Sequence, residues 1–260
     1  NAEIMNKDFL KLGIWLDFEN AYMPVKNEYI EGVWWLVKRA QEEGRLYKGF
    51  RALSWCADCS TALAKHEQEY KSVTDKSIFV KFKIVGKENE YIIIWTTTPW
   101  TLPANQAVAL NPNLEYVVIQ CKIDGQKERL VLAEQLLKDA MLRYGIKDYH
   151  VIAYCKGGAF EHMLLQHPFY DRQVPVILGD HVTIEAGTGA VHTAPGHGQD
   201  DYVAGQKYAL PVDNPVGDNG VFLPGTALFA GEHVFNANDH VLEVLEERGK
   251  LMHKEAISHS

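Results

Sequence analysis

From Ser72 onward the chain is a succession of short β-branched runs, each closed off by Pro, Gly, Asn or Asp. Such runs fit a pleated, half-buried surface and are too short for ordinary helices. Residues 78–85 alternate through Ile78, Val80, Phe82 and Ile84, which gives a strand with one apolar face. Residues 91–95 are continuously apolar, as a strand buried on both faces would be. Further strands are expected at 107–110, 116–121, 129–132, 151–154, 174–178 and 190–193. Helices are expected at 134–144, 199–208 and 237–249. The two kinds of element do not alternate regularly enough for a doubly wound sheet. The expectation is therefore a mainly β chain with helical decoration (α+β), its strands curled into a closed or nearly closed β-barrel.

Before residue 72 the texture differs. Ile30, Val33, Trp34, Val37 and Ala40 fall at helical spacing over residues 29–43, with Gly44 as the stop. Residues 51–55 make a short strand candidate that leads into Cys56-Ala57-Asp58-Cys59. The expected organisation is a helical stem over residues 1–70, holding half a Cys-x-x-Cys site, and a barrel-like body with a return stem over residues 71–260. With 260 residues, 47% of them hydrophobic, the chain can bury a sizeable core. No apolar run approaches the roughly 18 to 20 residues that span a bilayer, so no membrane partner is expected. The start carries Glu3 and Asp8, without an initiator Met or a signal-peptide core, as a piece of a longer chain would. Four cysteines do not make a disulfide scaffold, and a reducing cytoplasm is the expected location. A net charge of −8 argues against a broad grip on phosphates. It leaves room for a pocket that receives only the end of a nucleic acid.

Two stretches carry the chemistry. The first is Trp95-Thr96-Thr97-Thr98-Pro99-Trp100-Thr101-Leu102-Pro103-Ala104-Asn105. Pro99 removes a ladder donor and holds Thr98 extended, so the strand ends or meets an edge there. The result is a strand end that presents hydroxyls, each able to donate and accept. A Thr run is by itself most often a plain strand. Strict alternation also puts Thr97 on the face opposite Thr96 and Thr98, so all three serve one site only if the strand twists or stops. The second stretch runs from Gly187 to Tyr202, as Gly-rich turn, short strand with His192, second Gly-rich turn and helix start. Its small residues let a ligand approach the backbone closely. Asp200 and Asp201 lie in a first helical turn, where carboxylates also simply favour the dipole. A carboxylate at that rim is equally the natural partner of a substrate ammonium group. His192 and His197 are separated by a Pro-Gly break with no Cys nearby, a poor metal pattern. No Gly-x-Ser-x-Gly elbow points to a hydrolytic triad. Cys56 and Cys59 supply half of a four-ligand zinc site, which His66 and His259 could complete only by chance. Cys121 and Cys155 stand alone in strand patterns, as inert thiols do.

Together these two stretches resemble the signature segments of the isoleucyl-tRNA synthetase editing domain. Leucyl and valyl enzymes carry similar stretches, but the full Thr-Thr-Thr-Pro-Trp run and His192 resemble the isoleucyl type. The likeness extends to Leu12-Gly13-Ile14-Trp15-Leu16-Asp17, the Trp34 helix, the Cys56–Cys59 motif, Asn214-Pro215-Val216-Gly217 and Phe235-Asn236-Ala237-Asn238-Asp239. The two ATP-handling signatures of class I synthetases, His-Ile-Gly-His and Lys-Met-Ser-Lys-Ser, do not occur, and the family's second cysteine motif would follow Ser260. The resemblance therefore implies an inserted editing domain with its stem, which does not itself aminoacylate. It implies hydrolysis of Val-tRNA(Ile), and of valyl-adenylate as a second substrate, by water. Thr96, Thr97 and Thr98 would surround the ester and terminal adenosine. Asn105 matches a position important for editing. His192 would set the size limit for the side chain, and Asp201 would bind the α-ammonium. No cofactor is implied for editing, and zinc only in the full-length enzyme. The implied partners are the acceptor end of tRNA(Ile) carrying valine and the remainder of the synthetase. A valyl-type domain removing threonine, or a non-catalytic module binding the tRNA acceptor end, remain as alternatives.

Overall fold

The computed structural model describes residues 2–259, the side chain of His259 excepted. The chain divides into two compact units, Asn1–Phe50 and Arg51–Ser260. The first contains α1 (Ala2–Lys11) and α2 (Asn27–Glu42). Helix α2 stands where the apolar spacing puts it, and Gly44 closes it with φ +68°, a left-handed stop that glycine adopts freely. Helix α1 was not expected. The division falls at 50/51, against the sequence expectation of 70/71. The intervening residues are tied to later ones: a small hairpin, β1 (Trp55–Cys56) and β2 (Thr61–Ala62), sends Trp55 Nε1–H to Asp218 O at 2.8 Å. The strand expected over residues 51–55 is confined to this hairpin.

The second unit continues with β3 (Val73–Ile84), β4 (Glu90–Thr96), β5 (Ala107–Leu110), β6 (Glu115–Ile123), β7 (Gln126–Ala133), α3 (Leu137–Arg143) and β8 (Tyr149–Lys156). Then come β9 (Leu164–Gln166), β10 (Gln173–Leu178), β11 (Ala190–Thr193), α4 (Gln199–Lys207), α5 (Val234–Glu247) and β12 (Leu251–His259). Strands β3 to β12 form one ten-stranded sheet in the order β11-β5-β10-β9-β3-β4-β7-β6-β8, with β12 added to β3. Only the β4/β7 and β10/β5 pairs are parallel, so the fold is α+β and not doubly wound. Strand β3 organises it. One edge carries β4, from Ile78↔Thr96 to Lys83↔Tyr91; the other is shared by β12 and β9. Strand β11 lies against β4 without a ladder between them, and Ala133 N–H reaches Thr188 O at 2.8 Å. The path from β11 to β4 is thus curled into a nearly closed barrel.

Alternation on β3 separates two cores. Ile78, Val80, Phe82 and Ile84 join Ile92, Ile94 and the Val241 and Leu245 side chains of α5 in the larger one. Phe79 turns the other way, to Ile93 and to Leu137, Ala140 and Met141 of α3. Each fully buried side chain of this size contributes about 1.5–3 kcal/mol, so the strand is fixed from both faces. The same face as Phe79 carries a buried ion pair, Lys81 Nζ to both carboxylate oxygens of Glu128 at 3.1 Å. No described helix is long and apolar enough to cross a membrane.

Candidate active site

Strand β4 stops at Thr96, Thr97 bends, and Pro99–Ala104 turns into a 3-10 helix with prolines at both ends. The stop resolves the alternation problem. The Thr98 amide donates to Thr96 Oγ1 at 3.1 Å, and the two hydroxyl oxygens lie 3.4 Å apart. Thr96 is buried, Thr97 half-buried and Thr98 exposed. The turn then brings in a hydroxyl that the sequence reading did not single out. Thr101 Oγ1 lies 2.8 Å from Thr98 O, 3.5 Å from Thr98 Oγ1 and 2.9 Å from His192 Nε2. Only a donor can meet a carbonyl, so the Thr101 proton points at Thr98 O. His192 must then donate from Nε2, which leaves Nδ1 as an unprotonated acceptor. That Nδ1 is buried and has no partner. Burial, with His197 adding, pulls the His192 pKa down to about 4, so the ring is neutral at physiological pH. It is ill suited to protonate a leaving group.

His192 reaches this place on β11, opposite Val108 of β5. Two glycines before it explain the placement. Gly187 and Gly189 have φ near +79° and +75°, and a Cβ would lie 3.0 Å from the Trp95 ring and 2.5 Å from Ala133 Cβ. These glycines serve the protein's own packing of β11 against β4 and β7, a correction to the expectation that small residues there make way for a ligand. After β11 the chain turns into α4, capped by Gly198, and the two acids of its first turn part company. Asp200 is exposed, whereas Asp201 accepts from the Ala194 amide at 2.9 Å through Oδ2. Burial pushes the Asp201 carboxyl above its ordinary value, partly offset by that amide and by His181. A half-buried carboxylate held by one oxygen can receive a cation with the other.

Asn105 is completely buried, its Nδ2 donating to Ala107 O at 2.8 Å and its Oδ1 without a partner. It ties the turn to the start of β5. Among the described residues, seven buried side-chain polar atoms lack partners. All but the Tyr144 hydroxyl belong to Asn105, Arg172, His181, His192, Thr193 and His197, on the segments that build this region. Sequence reasoning passed over Thr101, Thr193, His181 and Arg172. An orphaned polar group needs a ligand or water to offset its desolvation, and only the three-dimensional arrangement exposes that need.

Cys56 and Cys59 share a tight turn in which the Cys59 amide points at Cys56 Sγ at 3.4 Å, and this lowers the Cys56 thiol pKa. No group of three or more His, Cys, Asp or Glu able to hold a metal occurs among the described residues. The His259 side chain lies outside them. Burial pushes the Cys121 thiol up to about 11 and raises that of Cys155, as isolated structural thiols in strands should behave.

Hydroxyls on one strand end, a neutral buried histidine bonded to the turn that follows and a carboxylate on the next helix thus form one site at the edge of the curled sheet. The chain belongs to the tRNA synthetases class I (I, L, M and V), whose family pattern matches residues 1–238. Within that family it is similar to the isoleucine–tRNA ligase of Methylococcus capsulatus, 53% identical over 100% of this chain and 29% of that protein. It is also similar to that of Nitrosococcus oceani, 48% identical over 98% of this chain and 28% of the relative. The chain thus spans less than a third of the relatives it matches. In fold it is similar to the cytosolic leucyl-tRNA synthetase editing domain of P. falciparum, with a TM-score of 0.55 at 10% identity, covering 72% of this chain and 99% of that one.

Proposed function

We propose that this chain is the proofreading part of an isoleucyl-tRNA synthetase and hydrolyses valine from Val-tRNA(Ile). The observation that carries the reading is the linked set Thr96, Thr98, Thr101 and His192, with Asp201 held by the Ala194 amide at the end of the same strand. The α-ammonium of the aminoacyl ester binds the free oxygen of Asp201. The hydroxyls of Thr96, Thr97 and Thr98 hold the ester carbonyl, the terminal ribose and the attacking water. Catalysis comes from positioning and from dipoles aimed at the developing oxyanion, with no ionised side chain acting as base. Neutral His192 walls the side-chain pocket and excludes isoleucine by bulk. Buried Asn105 acts through the backbone of the turn.

A second pocket of this kind has a physical reason. A site that accepts isoleucine gains only about 1–3 kcal/mol against valine, one methylene smaller. Isoleucine against valine is itself the standing illustration of that limit and not a deduction from this chain. A smaller hydrolytic pocket then removes the product small enough to enter. Water is the co-substrate, and no cofactor takes part. Any zinc at Cys56 and Cys59 belongs to the longer protein, which supplies the missing ligands. The longer protein also grips the body of the tRNA, since a net charge of −8 leaves this chain only the acceptor end. The cytoplasm, where tRNA is charged, is the proposed setting.

The test is incubation of the chain with Val-tRNA and Ile-tRNA of isoleucine specificity, and Thr-tRNA of valine specificity, following release of amino acid. Selective valine release is expected. Threonine release alone assigns a valyl-type domain, and binding without release a non-catalytic module.

A further inference from the structure

The turn Pro99–Ala104 carries Thr98 and Thr101 at its head. Its prolines remove two donors, and its ends are closed by Thr101 N–H to Thr98 O and Asn105 N–H to Leu102 O, each at 3.0 Å. The loop between β9 and β10 braces it from outside. His167 is 2% exposed, and its Nδ1 accepts from the Phe169 and Tyr170 amides at 3.3 and 3.1 Å. The proton therefore sits on Nε2, which donates to Leu102 O at 3.0 Å. Arg172 Nη2 donates to Pro103 O at 2.8 Å and to Asn105 O at 2.7 Å. Its guanidinium lies 5.2 Å over the Tyr170 ring, which in turn stacks on His167. An arginine beside a nucleic-acid site invites the reading of a phosphate contact. Here Nη2 already serves two carbonyls, and Nε is buried without a partner.

We propose that Arg172, with His167 beside it, is a positioning residue: it clamps the Pro99–Ala104 turn and so holds Thr101 where its hydroxyl meets His192, and Thr98 where its exposed hydroxyl meets the substrate. The activity arm of the test rests on the deacylase reading given above; the clamp itself does not. A cleft of about 420 Å³ opens onto Arg172, between Pro103, Tyr170, Asp213 and Asn214. A small cation can therefore enter the place of a deleted guanidinium.

The experiment is Arg172→Ala in the whole chain, with Val-tRNA(Ile) as substrate. We expect kcat to fall about ten- to a hundredfold, the size of a misplaced catalytic group, with KM within about twofold. Guanidinium ion at millimolar concentration should restore kcat where sodium chloride of equal ionic strength does not. Arg172→Lys should fall between, because an ammonium is a point donor and cannot fork across two carbonyls. Independently of activity, amide hydrogen exchange at Thr101 and Asn105 should accelerate in Arg172→Ala and slow again with guanidinium. Unchanged kcat, or kcat lost without guanidinium rescue, overturns the proposal. A raised KM at constant kcat also overturns it and makes Arg172 a nucleic-acid contact. If the unmutated chain releases no valine, the deacylase reading fails, and the exchange rates still decide the clamp.

Discussion

Replacing His192 by Ala separates a steric wall from a proton carrier and from a merely structural ring. The substitution removes a buried imidazole, 7% exposed, and opens space for at least one more methylene. The discrimination it supplies against isoleucine is of order 1–3 kcal/mol, or about 10- to 200-fold. Removing the wall should abolish that margin, so Ile-tRNA(Ile) becomes a substrate at a rate within about tenfold of Val-tRNA(Ile). Valine release should continue, because the threonines and Asp201 remain. The stability cost combines the lost bond to Thr101, about 1 kcal/mol, with the cavity left by the ring, and Tm should fall by roughly 5–15 °C while the fold is kept. The assay is the pair of deacylation rates together with a thermal melt. A general base contributes about a hundred- to ten-thousandfold. Collapse of valine release on that scale, or a folded mutant that still spares Ile-tRNA(Ile), would refute the reasoning.

Asp201→Asn keeps an oxygen for the Ala194 amide and removes the charge; kcat/KM for valine release should drop about ten- to a hundredfold at near-normal Tm. Normal rates in that variant would place the ammonium elsewhere. Burial also holds the Asp201 pKa above 3.8, so its ionised form, and with it activity, should be lost on acidification sooner than for an ordinary aspartate; a pH–rate profile reads this. Burial depresses His192 and His197 to about 4 and His167 to about 3, all below the unfolded value of 6.5. Their contribution is fully present above pH 6.5 and is lost as pH falls towards 4, because the unfolded chain takes up protons that the folded one refuses. Urea titrations should show stability declining over that window with a slope of up to about three protons, and a flat profile would contradict the burial of these rings. Glu128→Leu strands Lys81 in the interior and should cost about 3–5 kcal/mol, most of it recovered in the Lys81→Met/Glu128→Leu pair; a double variant no more stable than Glu128→Leu would show that the stranded Lys81 is not the source of the cost.

Two short apolar strands were readable to the residue, and the longer ones by their apolar centres, with ends that run on by a few residues. Strands β5 and β11 fall where Ala107–Leu110 and Ala190–Thr193 suggest. Strand β12 was not, because Leu-Met-His-Lys-Glu-Ala-Ile-Ser-His has no apolar face; its pairing comes from the open edge of β3. The three-residue β9 is likewise a product of its neighbours. The helix expected over 134–144 begins as a 3-10 turn, Glu134–Leu136, before α3. In the site, the threonine run and His192 were visible because unusual residues cluster in sequence. Thr101 looked like one more threonine, and its meeting with a histidine 91 residues away cannot be read from spacing. Spacing alone did not separate Asp200 from Asp201; the family resemblance singled out Asp201, and the helix face shows it turned inward to the Ala194 amide while Asp200 is exposed. Arg172 and His167 lie in an ordinary loop, and their value is in the carbonyls they meet.

The pairing of β3 with β12 has a mechanical consequence. Val73, which opens β3, and His259, in β12, are antiparallel partners, about 5 Å apart. The curled sheet, both cores and the threonine turn therefore hang from a two-stranded ribbon, steadied by Trp55 on Asp218. Its outer residues, from Val73 to Lys76, are exposed on the β3 side. Ribbons of two strands twist more readily than wide sheets, so twist applied at Val73 and His259 is taken up in this stretch before it reaches the paired strands that carry the site. Because Val73 and His259 already touch, the body between them can sit in a surface turn of another chain with little loop-closure entropy.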